Sequence, residues 1–164
     1  MNIFYFTNNV VLNAKLLDDK RLVKMVLETT QLLSNALFLN GEKSPYLPTH
    51  LKHPCTLWAS ETAGNWKWLK KYGLALAKEY TRRYKKIHKC ESIIKSMKCP
   101  KIKNKKFFQP PQCMPDKYKS SKTTYSYIKY YVCEKFNKNY FKHTSKNVFN
   151  FWRKLKLSDK IYCF

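Results

Sequence analysis

Between Lys20 and Leu39 apolar residues recur at helical spacing. Leu22, Met25, Val26, Thr29, Leu32, Leu33, Ala36 and Leu37 fall on one stripe, which predicts an amphipathic helix packed on a core. Asp18 and Asp19 precede it as N-terminal caps, and Asn40-Gly41 supplies its stop. Upstream, Asn2 to Phe6 is a short apolar run that reads as a strand or an extended entry. Thr7, Asn8 and Asn9 are cap types ahead of a short helix in VVLNAKLL.

A second unit begins at His53-Pro54, with Pro54 suited to a first helical position and CTLWASE following as a short helix. The pattern then predicts a long helix from about Thr62 to Lys86. Ala63, Trp66, Leu69, Tyr72 or Gly73, Leu76, Tyr80 and Tyr84 line its inner side. A short helix is expected within His88 to Met97. Residues 98–122 carry many Lys together with Pro100, Pro110, Pro111 and Pro115, which predicts a long ordered loop. A helix from Thr123 or Thr124 to about Phe141 places Tyr125, Ile128, Val132, Phe136 and Tyr140 on one side, and Val148 to Leu157 forms a last turn or two with Trp152. The sum is an all-α, compact multi-helix domain with a long Lys/Pro-rich loop. No internal repeat is present, and one domain over residues 1–164 is expected.

Composition narrows the class. Aromatic residues reach 16%, too many for a disordered basic tail. The three glycines (Gly41, Gly64, Gly73) are too few for a chain of tight hairpins. No apolar run approaches a membrane span, and the N-terminus lacks the basic and small-residue features of a signal peptide. An intracellular protein with reduced cysteines is the expectation.

Charge changes the picture most. The net charge is +23, and it is unevenly placed. Residues 1–60 hold six Lys/Arg against four Asp/Glu, whereas residues 61–164 hold 27 against six. Such an excess repels itself unless a polyanion neutralises it, and nucleic acid releases counterions when it does so. Lys, Arg and Tyr interleave in KEYTRRYKKIHK and YSYIKYYVCEKFNKNYFKH. Cations for phosphates and aromatics for bases suit single-stranded or distorted nucleic acid. A Tyr-rich core under a Lys-rich surface gives the same pattern.

Three constellations could carry chemistry. Lys20, Arg21, Lys24, Glu28 and Gln31 form a polar strip on the first long helix, with Lys24 and Glu28 one turn apart. A carboxylate beside fixed cations can stabilise an oxocarbenium-like sugar, and a lysine can attack an anomeric carbon. Ordinary ion pairs on a solvated face are the simpler alternative. His53 to Trp68 holds a His, three Trp and Asn65. His53 is a candidate acid/base or phosphate contact, and at least one Trp must be partly exposed. His88, Cys90, Cys99 and Cys113 are possible zinc donors, but without a C-x2-C knuckle buried free thiols are expected. No metal or cofactor is therefore predicted. The catalytic candidates are Glu28, Lys24, Lys20 and His53. The nucleic-acid candidates are Arg21, Trp58, Asn65, Trp66, Lys67, Lys71, Lys78, Arg82, Arg83 and Lys129.

Several motifs occur together: N-I-F-Y at Asn2, D-K-R-L-V-K-M-V-L-E-T-T-Q-L-L-S from Asp19, H-P-C-x-L-W-x-x-E from His53, N-W-x-W-L from Asn65, E-Y-x-x-R-Y from Glu79 and P-P-Q-C-M-P-D-x-Y-K from Pro110. As a set they resemble a family of small proteins from bacteriophages and large DNA viruses, whose members often have His where this chain has Arg21. That resemblance implies a viral source and an address in the host cytoplasm or nucleus. The polar helix near the N-terminus also resembles the endonuclease V-type pyrimidine-dimer DNA glycosylases. In those proteins a helix-borne Glu and an N-terminal amine drive base excision and strand cleavage, which assigns the carboxylate role to Glu28. Removal of Met1 before Asn2 is unfavourable, so a lysine, or no amine at all, is expected to serve.

Three functions follow. The first is a nucleic-acid-directed protein, DNA rather than RNA, acting as a glycosylase or nuclease on damaged or modified DNA. The second is a non-catalytic basic DNA- or RNA-binding protein that counters host defence. The third is an enzyme acting on a small phosphorylated nucleotide. They differ in whether Glu28 lies in a pocket and in what shares it.

Overall fold

The computed structural model describes residues 1–136 and 141–157. Among these the regular structure is helical throughout: α1 (Val10–Leu16), α2 (Asp19–Leu39), α3 (Pro54–Glu61), α4 (Ala63–Tyr84), α5 (Cys90–Ser96), α6 (Thr123–Tyr130) and α7 (Lys146–Leu157). A single 3-10 turn covers Asp116–Tyr118, and α6 continues into a π-helical segment, Tyr131–Lys135.

Local chemistry sets the helix ends. Asn9 caps α1 by accepting the N–H groups of Val11 and Leu12, each at 3.0 Å. Asp18 caps α2 through the Arg21 N–H, and His53 caps α3 through the Cys55 N–H ahead of Pro54. At the far end of α2, the Asn40 N–H returns to the Leu37 carbonyl, and Gly41 turns the chain away at φ 73°. Glycine adopts that left-handed conformation without the steric cost of a side chain.

The stripe predicted on α2 is buried along its whole length, from Leu22 to Leu37. It packs against α3 and α4, while α1 and α5 close on α4. Residues 2–6 form neither helix nor paired strand, and Ile3, Phe4, Tyr5 and Phe6 are all buried. The core is continuous from Ile3 to Trp152.

Two details differ from the sequence pattern. On α6 the side turned inward carries Ser126, Tyr127, Tyr131 and Val132, and Tyr125 is 41% exposed. Tyr127 and Tyr131 bury hydroxyls that find polar partners inside, so the inward side is rotated from the one that Tyr125 and Ile128 mark, with Val132 common to both. The predicted continuation of this helix through Tyr140 falls partly outside the described residues. In the cysteines, Cys55, Cys90, Cys99 and Cys113 are free thiols, whereas Cys133 is disulfide-bonded, against the expectation of reduced thiols throughout.

The segment between α5 and the 3-10 turn is stitched to the α3–α4 junction. Ala63 N–H donates to Asn104 O, Thr62 Oγ1 to Lys106 O, and Phe108 N–H to Asn65 Oδ1. Gly64 permits this crossing, because a Cβ there would lie 2.3 Å from the Lys106 carbonyl oxygen.

Candidate active site

Glu28 lies on α2 at the floor of a pocket of about 270 Å³. Met1, Asn2 and Phe4 of the N-terminal segment line it, with Lys20, Arg21, Lys24 and Met25 of α2 and Tyr130 and Lys135 from α6 and its π-helical extension. The residue is 8% exposed and both carboxylate oxygens are engaged. The Asn2 backbone N–H donates to Oε2 at 3.2 Å. Lys24 Nζ lies 3.2 Å from Oε1, with its own side chain 70% exposed. The polar strip of α2 is therefore a pocket wall, and its i,i+4 pair is half-buried.

The neighbours of Glu28 are held from behind. Arg21 forms a 2.6 Å ion pair with Asp18, a 1% exposed carboxylate. Asp18 Oδ2 also accepts the Tyr131 hydroxyl at 2.5 Å, while the Asp18 N–H donates back to that hydroxyl oxygen at 2.7 Å. Burial pushes the Tyr131 phenol well above its ordinary pKa, and the Asp18 charge adds to this. Asn2 is fixed by its side chain: Nδ2 donates to the Cys113 carbonyl at 2.9 Å, and Oδ1 lies 2.8 Å from the Tyr127 hydroxyl.

His53 does not line this pocket. It borders a neighbouring groove of about 800 Å³ with Pro111, Gln112, Cys113, Lys119 and Ser120. Met1 lines the Glu28 pocket, and its backbone lies close enough to the His53 ring to act on that ring's titration. Burial lowers the His53 pKa, helped by the N-terminal amine and His50 and opposed by Glu28 and the Met1 carbonyl. Beside it, Cys55 and Cys113 bring their sulfurs to 3.4 Å. Their hydrogen bond pushes the Cys55 thiol up, reinforced by burial, and pulls the Cys113 thiol down.

The nucleic-acid candidates divide by burial. Asn65 and Trp66 are at most 1% exposed and Trp58 is 6% exposed. Asn65 bonds Trp58 O and Phe108 N–H, Trp58 Nε1 donates to Phe108 O, and Trp66 Nε1 donates to Leu33 O. All three are structural, because a polar group taken into the core must find its partner there. Trp68, half-buried against Tyr5, Trp58, Tyr72 and Phe107, is the member of the Trp set nearest the surface.

The Arg83 guanidinium is fully buried and pairs with Glu79 at 2.7 Å and Asp19 at 2.8 Å, so it too is withdrawn from any surface role. Lys67, Lys71, Lys78 and Arg82 are exposed on α4, Arg82 paired with Glu79, and Lys129 is half-buried. None of them lines the Glu28 pocket. Its cations are Lys20, Arg21, Lys24 and Lys135.

Asn2, Asp18, Tyr130 and Lys135 escaped notice as site residues. Asn2 and Lys135 belonged to visible patterns, the N-I-F-Y opening and the basic-aromatic stretch, but only the fold brings them to Glu28. The proposed His88–Cys90–Cys99–Cys113 set does not assemble. His88 instead accepts the Cys90 N–H and meets the Tyr80 ring edge to face, and Cys113 meets Cys55.

A helix-borne carboxylate contacted by a backbone N–H and a lysine ammonium, in a pocket ringed by cations, has the chemistry to face an anionic substrate and to stabilise positive charge. Residues 1–92, more than half of the chain, match the family model described as pyrimidine dimer DNA glycosylase. The chain belongs to this family, and the family implies a DNA substrate. No curated protein and no solved structure matches it. Among the described residues no helix is long and apolar enough to cross a membrane.

Proposed function

We propose that this protein is a DNA glycosylase that excises the damaged base at pyrimidine dimers, with Glu28 as the catalytic carboxylate. The observation that carries the reading is the placement of Glu28: it sits between the Asn2 N–H and Lys24 Nζ in a cation-lined pocket. A duplex lying across the mouth sets its phosphates against Lys20, Lys24 and Lys135, and a distorted sugar reaches inward. Distortion favours this, because unstacking is cheapest at a damaged base.

A lysine amine in its neutral form attacks C1′ of that sugar. The C1′–N bond to the amine forms, the glycosidic C–N bond breaks, and the proton shed by the amine nitrogen passes to the departing base. Protonation of the ring oxygen then opens the sugar to a protonated Schiff base. Glu28 faces the positive charge that builds on the sugar, and a charge fixed in advance stabilises it without reorganisation. The amine is Lys24 Nζ or Lys20 Nζ, both residues lining the pocket. The motifs shared with phage and large-virus proteins support a virus-encoded repair enzyme working inside the infected cell.

The test is a duplex oligonucleotide with one site-specific cyclobutane dimer, incubated with protein and borohydride. A covalent DNA adduct is expected, and peptide mapping identifies the amine. Glu28→Gln keeps shape and hydrogen bonding but removes the charge. It should cut turnover by about 100-fold or more, with DNA affinity and melting temperature nearly unchanged. If dimer DNA is bound but neither trapped nor cut, the non-catalytic binding reading replaces this one.

A further inference from the structure

We propose that His53, Cys55 and Cys113 form a binding site for a thiophilic divalent cation, zinc, that clamps the Cys113 loop onto the start of α3 beside the Glu28 pocket. The three donors come from two segments 58 residues apart in sequence, and one ligand atom from each lies within 4.8 Å of the others. The sulfurs are 3.4 Å apart, too far for a disulfide. Two thiolates on a tetrahedral zinc stand about 3.8 Å apart, given Zn–S bonds of about 2.3 Å. A shift of a few tenths of an ångström therefore closes the set on one ion. One imidazole and two thiolates without a carboxylate suit zinc and exclude the oxygen-seeking cations calcium and magnesium.

The donors are held before any ion arrives. His53 and Cys55 flank Pro54 in the first turn of α3, and the Thr56 N–H donates to the His53 carbonyl. Cys113 lies in a turn whose N–H returns to the Pro111 carbonyl. In this structure the His53 Nδ1 accepts the Cys55 N–H at 3.1 Å, and an ion taken at Nδ1 would displace that bond, because the nitrogen has a single lone pair. Coordination through Nδ1 leaves the proton on the other ring nitrogen, the tautomer a metal-bound histidine requires. The fourth coordination position opens on the groove lined by Gln112, Lys119 and Ser120.

Such a clamp acts on the neighbouring pocket through two bonds. The Cys113 carbonyl accepts Asn2 Nδ2, and the Asn2 N–H contacts Glu28. An ion holding Cys113 to α3 thus fixes Asn2, and with it the N-terminal segment, against the carboxylate. The three residues would act as positioning groups.

Ion binding is measured without DNA, so its outcome is independent of the glycosylase assignment. Protein purified with zinc and gel-filtered should retain a single ion per chain. Cobalt in its place should give a sulfur-to-metal charge-transfer band in the near ultraviolet. Cys113→Ala and His53→Ala should lose both signals, and Cys99→Ser should keep them. For variants that fail to fold, labelling of wild-type thiols serves instead: zinc should protect Cys55 and Cys113 from alkylation but leave Cys99 unprotected. Labelling rates at Cys55 and Cys113 unaffected by zinc would overturn the proposal. So would a cobalt band that survives in folded Cys113→Ala, or a Cys55–Cys113 disulfide that forms equally fast with zinc present.

Discussion

The Asn2 backbone N–H and the Glu28 carboxylate are 26 residues apart in sequence and 3.2 Å apart in space. That bond makes a site of the polar strip on α2, because it turns one oxygen of the carboxylate toward the N-terminal segment and leaves the other to Lys24. The surrounding groups serve to keep Asn2 in place.

Tyr127 is the first of these. Its hydroxyl is buried, 2.8 Å from Asn2 Oδ1 and 2.6 Å from the Pro111 carbonyl. Tyr127→Phe should cost about 1 kcal/mol of stability, the usual worth of a buried hydrogen bond. It should lower excision of dimer-containing DNA further than that loss of folded protein explains. Urea melts and single-turnover rates on the same preparation check both, and an unchanged rate would remove Tyr127 from the positioning chain.

DNA affinity should depend on the pocket cations more than on the α4 face. Lys135→Ala and Lys20→Ala should each weaken binding and reduce the slope of log affinity against log salt by about one phosphate contact. Lys71→Ala, away from the pocket, should change the slope less. Gel-shift titrations at several salt concentrations measure this. A larger effect at Lys71 would move the interface to α4.

Arg83→Ala should destabilise the fold by about 3–5 kcal/mol, because it strands buried carboxylate charge. The guanidinium bonds Glu79 and Asp19 and also the carbonyls of Leu17 and Lys15, so it ties α4 to the α1–α2 corner. Chemical denaturation is the measurement, and a loss under about 1 kcal/mol would mean the pairs contribute little.

The same network predicts a pH dependence. Burial raises the Glu79 pKa, but hydrogen bonds from Arg82 and Arg83 and their charges outweigh it, so the carboxyl sits below its ordinary value of 4.5. A depressed folded-state pKa contributes stability that is fully present above the unfolded value and is lost as pH falls through the folded one. The stability gap between wild type and Glu79→Gln should therefore be constant from neutral pH to about 5 and shrink below 4.5. A gap that widens in acid would contradict the assignment.

Helix existence and helix ends were legible in the chain itself. The stripe from Leu22 to Leu37, the caps at Asn9 and Asp18, Pro54 at the first position of α3, and the stop at Asn40-Gly41 depend on neighbours within a few residues. The pairing of Lys24 with Glu28 is equally local, because one helical turn brings the two into reach. Tertiary packing alone decided that this strip faces a pocket rather than water, since Asn2, Tyr130 and Lys135 arrive there from distant segments. It also decided which of the basic and aromatic residues are available. Arg83, Asn65 and Trp66 have the composition of nucleic-acid contacts and the surroundings of core residues, because a buried polar group must find its partner inside. The union of Cys55 with Cys113, rather than of Cys113 with Cys90, has the same origin: spacing constrains what a helix can bring together, and long-range contacts are set only by how the helices pack.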